Sequence, residues 1–408
     1  MGDMLDLINQ KKRIIELHLP PILYFLLALF VLLLGIFYPY HNWDKIAYVA
    51  IAKSYEEEDI KIVHTFTYKQ IESSVSASIW EGLTGSKVDN VDKEYRTIVY
   101  SDPQAFAEQL SFYQIRPAYP ILIFLLHKIG IPIVFAAQLV SGIAVFIGIL
   151  VLYIICKEYL HQPFVYLMLP LAVLFGVFDL ARYSTPNGLG FCALLMVTYL
   201  YLSERLTLVT ILMPFLVLIQ PDLILFLIPL YILIYFNPNC SKWPIVVSTF
   251  VSISIYIWIT SHSSYPGWSV LIYTALVHLL PYPISSPQHL SIGNYLHLVT
   301  EGIKNLYANK SFILFCVFVI WIFFQIRMKI KAISLKSLIT SKQVVLVIVS
   351  IIYITSHFFL YPAMRERYFV ANYIVTSFTL FYFLSQSNIF ISKSIPPEEY
   401  SKTQLHSQ

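Results

Sequence analysis

Residues 20–38, PPILYFLLALFVLLLGIFY, and residues 41–55, HNWDKIAYVAIAKSY, decide how this chain is read. The first stretch carries no charge and is long enough to cross a bilayer as a helix, which takes about 20 apolar residues. The second places an acid, Asp44, just beyond the end of that crossing. From residue 39 to residue 117 the chain stays largely polar, and nearly everything after it is apolar again. A protein that puts most of its extramembrane mass into one loop, with a carboxylate at the loop's base, is built for chemistry at a membrane face.

Composition agrees. Of 408 residues, 58% are hydrophobic and 12% charged, against a usual charged share of about 25%. A net charge of +4 without a basic stripe excludes nucleic acid as a partner. Tyrosine (30) and phenylalanine (29) are abundant, and many fall at the ends of apolar runs, where interfacial belts form. None of the four cysteines lies in the first loop, so no disulfide is expected there. The first span follows a segment bearing Lys11, Lys12 and Arg13 and has no small-residue cleavage site, so it reads as an uncleaved anchor.

Further spans are expected at 131–156, 162–178, 186–203, 206–219, 222–236, 244–261, 311–327, 343–361 and 367–385. The fold class is therefore an all-α polytopic membrane protein of about ten transmembrane helices, with interfacial helices in the long loop after the first span. The run 206–236 would be about 46 Å long as one helix, too long for a single crossing, and Gln220-Pro221 splits it. The shorter apolar stretch 118–128 cannot cross and is expected as an interfacial or re-entrant helix. Lys157, Arg205, Lys242 and the run Arg327, Lys329, Lys331, Lys336 and Lys342 mark the inner side. That puts the segment 1–19 and the tail 386–408 inside, flanking a domain at 20–385. The first outer loop (39–117), the second outer loop (262–310), the turns 179–185 and 361–367 and the break at Gln220–Asp222 share the outer face. No separate soluble domain and no internal repeat is visible.

The polar residues form clusters. On a helix starting near Trp43, Asp44, Tyr48 and Tyr55 share one face, and Ile46, Ala47, Ala50 and Ile51 make an apolar side. Asp44 reads both as a helix cap and as a catalytic base. His41 stands close enough to join it. In YQIRPAYP, residues 113–120, Arg116 precedes the short apolar helix and reads as a phosphate clamp or as an interfacial anchor. In FDLARYSTPNGLG, residues 178–190, Asp179 and Arg182 lie three apart, either as a surface ion pair or as site residues, and Pro186-Asn187 is a helix start. In LIQPDLILF, residues 218–226, Asp222 is costly near lipid and belongs at a cavity, the aqueous boundary or a helix start. In YPAMRERYFVANY, residues 361–373, Arg365 and Arg367 bracket Glu366 on the outer face, against the usual bias of basic residues. An anionic lipid headgroup is their natural ligand. Glu56, Glu57, Glu58 and Asp59 read as a solvated helix end, and no histidine pair has zinc-motif spacing. Without a soluble nucleotide-binding domain, an activated donor has to be lipid-borne.

Taken in order, these clusters resemble the integral-membrane GT-C glycosyltransferases, in particular bacterial members related to dolichyl-phosphate-mannose protein mannosyltransferases. The likeness runs over about 20–385 and rests on WDKIAY after the first span, RPAYPILIFLLHKIGIP as a proline-marked interfacial helix, LIQPDLILFLIPL as a break between half-spans, and RERYF near the last span. Gln220 stands where that family often has Arg before Pro. The resemblance implies a polyprenyl-phosphate-linked sugar as donor and an envelope glycan, lipid or protein as acceptor, met at the periplasmic face of a bacterial inner membrane. It implies Asp44 as base, Asp179 as a second acid (Asp102 less so), and Arg365, Arg367, Arg116 and Arg182 on the donor phosphate. His41, Tyr48 and Asp222 are expected to line the site. Some relatives need a divalent metal; no ligand set is apparent here, and no metal or other cofactor is expected. The competing classes are a lipid-linked glycan flippase or transporter and a polysaccharide polymerase or ligase.

Overall fold

The computed structural model describes residues 2–86, 91–236, 240–329 and 341–386. The expected tail at 387–408 and the inner-loop residues Lys331 and Lys336 lie outside the described residues, as do the side chains of Lys11, Lys12, Arg13 and Lys329. Among the described residues the fold is all-α, with a single isolated β-bridge between Tyr40 and Tyr183.

The first apolar run ends α1 (Gly2–Phe37). The first loop is filled by α2 (Trp43–Ser54), α3 (Ile60–Glu72), α4 (Ala77–Thr84), α5 (Val91–Ser101) and α6 (Pro103–Gln114). α7 (Ala118–Lys128) has the bounds expected of the short apolar helix, and α8 (Ile133–Tyr159) follows after Gly130 and Pro132. The chain continues through α9 (Gln162–Leu174), α10 (Val177–Arg182), α11 (Asn187–Leu202), α12 (Leu206–Ile219) and α13 (Ile224–Tyr235). Beyond these lie α14 (Lys242–His262), α15 (Trp268–Leu276), α16 (Ile292–Leu306), α17 (Lys310–Lys329), α18 (Lys342–Leu360) and α19 (Val370–Ser385).

Among the described residues, five stretches are long and apolar enough to cross a membrane: Leu19–Phe37, Ile133–Tyr159, Lys242–His262, Lys310–Arg327 and Lys342–Leu360. This is compatible with a membrane protein, and the exposed apolar stripe Trp243, Phe250 and Ile257 on α14 fits the same class. The other expected spans form shorter apolar helices. The stretch expected as one span at 162–178 divides because Gly176 adopts φ +91°, a left-handed conformation that ends α9 and starts α10 on a new axis. Gln220-Pro221 does part α12 from α13, through a 3-10 turn at Pro221–Leu223. A second 3-10 turn, Glu366–Tyr368, delays the last helix to Val370.

Two apolar cores result. One runs through α1, α8 to α14 and α17 to α19. The other joins α2, α3, α6 and α7 to the first turns of α8. α2 is the centre of the second core: every residue from Lys45 to Ala52 is buried, so the helix is enclosed on all sides rather than lying on a surface.

The second loop is strapped onto the first. Gln109 Nε2 donates to the carbonyls of Leu280 (2.6 Å) and Pro281 (3.1 Å). The Glu108 carboxylate accepts from the N–H groups of Ile284 (2.8 Å) and Ser285 (2.9 Å) and from the Ser285 hydroxyl. The Tyr282 hydroxyl donates to Asp102 Oδ2 at 2.6 Å. Burial alone would raise the Glu108 pKa, but the bonds from Ser285 and Ile284 outweigh it and hold the carboxyl below its usual range. Asp102 is held low chiefly by Tyr282. A depressed carboxyl stabilises the fold above its unfolded pKa, and that contribution disappears as pH falls through the folded value. Glu108→Ala strands two amides, a cost of about 1–3 kcal/mol. Hydrogen-exchange protection at Ile284 and Ser285, taken relative to the intrinsic exchange rate at the same pH, should therefore fall about tenfold or more in the variant. Unchanged protection in Glu108→Ala would show that the strap is held by something else.

Candidate functional site

The site is organised where α2 begins. Asn42, not Asp44, is the N-cap: its Oδ1 accepts from the Lys45 N–H at 3.3 Å, and its backbone is extended as capping requires. Reading Asp44 as the cap is thereby corrected, and its carboxylate is left for other partners. Asp44 Oδ1 accepts from the Tyr113 hydroxyl at 2.9 Å. Oδ2 accepts from Asn42 Nδ2 at 3.1 Å and from Arg367 Nη1 at 3.0 Å. Tyr113 lies at the end of α6 and packs its ring against Trp43 and Tyr48. Burial, and then the charge of Asp44, push the Tyr113 pKa well above its ordinary value, so the phenol stays protonated and donates.

One turn along α2, the Tyr48 hydroxyl accepts from Arg116 Nη1 at 3.3 Å. Burial raises Tyr48 to about 12, so it too is neutral. Tyr55, expected on the same face, turns away and packs on Phe124.

Two cavities meet here. The larger, about 790 Å³, is lined by Asp44, Tyr48, Arg116, Asn187, Asp222 and His357, with aromatic walls that include Tyr265 and Trp268. The smaller, about 530 Å³, is lined by Asn42, Asp44, Asp179 and Glu366. Asp44, Arg365 and Arg367 line both, so the Asp44–Arg367 ion pair is part of the shared wall. Arg367 stands over the rings of Tyr183 and Tyr368, and Arg365 over Tyr361, which fixes both guanidinium groups beside the site. Among the described residues, no group of three His, Cys, Asp or Glu side chains is placed to hold a metal ion.

Of the residues picked out in the sequence, Asp44, Tyr48, Arg116, Asp179, Asp222, Arg365 and Arg367 all line one cavity or both. Arg182 and His41 are not among the lining residues. Arg182 is committed to the connection after α1: its Nε donates to the Tyr38 carbonyl (2.8 Å), its Nη1 to the Tyr40 hydroxyl (2.6 Å), and its guanidinium stacks 3.7 Å from the Tyr40 ring centre. Tyr40 in turn donates to Asp179 Oδ1 at 3.0 Å, so Asp179 and Arg182 are linked through a phenol rather than directly. Asp102 is the N-cap of α6 and a partner of Tyr282, a structural position. His41 faces Lys45 rather than Asp44, with Nδ1 3.4 Å from Nζ.

Tyr113, Asn42 and His357 were not singled out by sequence. His357 carried a usable signal, since it is an ionisable group inside the apolar run 343–361. Asn42 carried a local signal too, as a favoured N-cap residue directly before the helix start at Trp43; Tyr113 carried none, because its role depends on how α2 and α6 pack.

Compared with models of protein families, with curated proteins and with solved structures, the chain finds no match.

Lys45 is 1% exposed, and burial lowers its pKa to about 7. Burial and then Lys45 lower His41 to about 4, leaving that imidazole neutral. A lysine with a depressed folded pKa penalises the fold most below that value, and the penalty fades as pH rises toward the ordinary pKa. Lys45→Met keeps the volume and removes the charge. Its melting temperature should exceed that of the parent by more at pH 6 than at pH 9. A gain independent of pH, or a loss at pH 6, would mean that the ammonium has a stabilising partner.

Proposed function

We propose that this protein is a membrane glycosyltransferase that moves a sugar from a polyprenyl-phosphate donor to an envelope glycan, lipid or protein at the outer face of a bacterial inner membrane. What carries the proposal is the place of Asp44 at the junction of the two cavities, paired with Arg367 and flanked by Arg365. The larger cavity, with Arg116 and its aromatic walls, takes the sugar phosphate. The smaller, bearing Asp179 and Glu366, takes the acceptor hydroxyl. The shorter apolar helices join the five long ones to give about ten crossings, with the helical first loop and the strapped second loop on the outer side.

In the reaction the acceptor oxygen attacks the anomeric carbon while the bond from that carbon to the phosphate oxygen breaks. The hydroxyl proton passes to an Asp44 oxygen, and the sugar inverts. The departing polyprenyl phosphate gains negative charge, and Arg365, Arg367 and Arg116 stabilise it. Asn42 and Tyr113 keep the carboxylate oriented. No metal is used.

In proteoliposomes given radiolabelled polyprenyl-phosphate hexoses and an envelope acceptor fraction, the parent protein should move label to acceptor. Asp44→Asn should lower the rate by about a hundredfold or more, the usual scale for loss of a general base, without loss of insertion. Arg365→Gln with Arg367→Gln should raise the donor concentration required. Normal turnover in Asp44→Asn would remove the base assignment. Label crossing the bilayer without transfer would make the protein a lipid-linked glycan translocator instead.

A further inference from the structure

The larger cavity carries polar side chains that the reaction above does not use. Asp222 Oδ2 lies 3.4 Å from His357 Nε2 and 3.4 Å from the Tyr353 hydroxyl. With Nε2 turned to Asp222, the other imidazole nitrogen, Nδ1, is buried and has no partner in the protein, and the residue as a whole is 5% exposed. Asn187 is likewise 5% exposed. Its Oδ1 accepts from Gln220 Nε2 at 3.2 Å, which leaves its Nδ2 buried and unpartnered. Gln220 reaches Asn187 because residue 190 is glycine: a Cβ there would collide with Gln220 Oε1. Each side chain thus has one polar atom committed to the protein and another left for something else.

A buried polar atom without a partner costs about 1–3 kcal/mol. Asn187, His357 and Asp222 all line the same cavity. An amide donor, an imidazole nitrogen and a carboxylate do not suit a hydrocarbon, which would leave them unpaired, and the carboxylate does not suit direct contact with the donor phosphate, which Arg116 holds in the same cavity under the glycosyl-transfer reading. They suit a ring bearing several hydroxyls, each both donor and acceptor. On the premise, taken from the glycosyl-transfer reading, that the ligand of this cavity carries a sugar, we infer that Asn187, Asp222 and His357 bind the hydroxyl groups of the donor sugar and decide which sugar is accepted. Gln220 and Gly190 are positioning residues that hold the Asn187 amide in the required orientation. This gives Gln220 a task of its own at the half-span break.

The test uses the purified full chain in detergent, with short-chain polyprenyl-phosphate hexoses, their single-deoxy analogues and bare polyprenyl phosphate. Binding is read from the fluorescence of Trp43 and Trp268, which line the cavity. The parent protein should bind at least one deoxy analogue about tenfold more weakly than the full hexose, the scale of one lost hydrogen bond to a buried group. His357→Phe and the isosteric Asn187→Asp should bind the full hexose correspondingly more weakly and lose that discrimination, while bare polyprenyl phosphate binds as before. Gly190→Ala, which displaces Gln220, should reproduce the Asn187 effect. Unchanged binding of bare lipid checks that each variant is folded. A parent protein that binds every deoxy analogue, or bare lipid, as tightly as the full hexose overturns the inference, as do variants that retain full discrimination. Selective sugar binding without transfer would leave this inference standing and sink the Asp44 reaction instead.

Discussion

Asp44 and Arg367 are 323 positions apart in the chain and 3.0 Å apart in space. Their side chains are 22% and 14% exposed, so neither ion keeps its full hydration. Ions so placed lose several kcal/mol of solvation each, and they persist only when they face one another and further donors complete the shell. Tyr113 and Asn42 complete it for Asp44. The ring stacking of Arg367 on Tyr183 and Tyr368 holds the other side. The start of α2, the end of α6 and the turn before α19 are therefore tied to one point. Removing either ion leaves the other uncompensated, which is the expensive way to break such a pair.

The pair is only as well placed as the helix that carries it. α2 is enclosed from Lys45 to Ala52, and its alanines at 47, 50 and 52 let neighbouring helices approach closely. Asn42 serves twice, capping the helix with its oxygen and steadying Asp44 with its nitrogen. The connection from α1 is fixed by Arg182 and by the Tyr40–Tyr183 bridge. On the other side, Asp102, Glu108 and Gln109 hold the second loop against α6, the helix that ends in Tyr113. The Asp44 carboxylate is thus held by its neighbours in the cavity walls, which are in turn held by contacts of α6 and of the connection after α1.

What was legible in sequence follows from this. The short helix at 118–128 could be bounded to the residue because proline and the glycine region punctuate it locally. The break at Gln220-Pro221 was legible for the same reason. The stretch 162–178 was not, because its apolar run continues through Gly176, and only the left-handed backbone there divides it. Within the site, Asp44, Arg116, Asp222, Arg365 and Arg367 stood out as charges in apolar surroundings, and all five line a cavity. Arg182 and His41 stood out equally, yet their partners are Tyr40 and Lys45. A charge pattern locates groups that need partners; it does not say whether the partner is a ligand or a neighbouring residue.

The division into two cavities bears directly on the chemistry proposed. Inversion at a carbon needs the attacking oxygen and the leaving group on opposite sides of it. Under the glycosyl-transfer reading, two compartments that share Asp44 in their wall would favour that arrangement, with part of the orientational entropy lost in advance. The polar lining is also unequal. The smaller compartment adds Asp179 and Glu366, acceptors for hydroxyl protons, whereas the larger adds Asp222 alongside Arg96, Arg116, Asn187 and His357. Under the glycosyl-transfer reading, a phosphate would be repelled from the acid-rich compartment and held in the other. On that reading the donor lies with its leaving group toward Arg116 and its anomeric carbon toward Asp44.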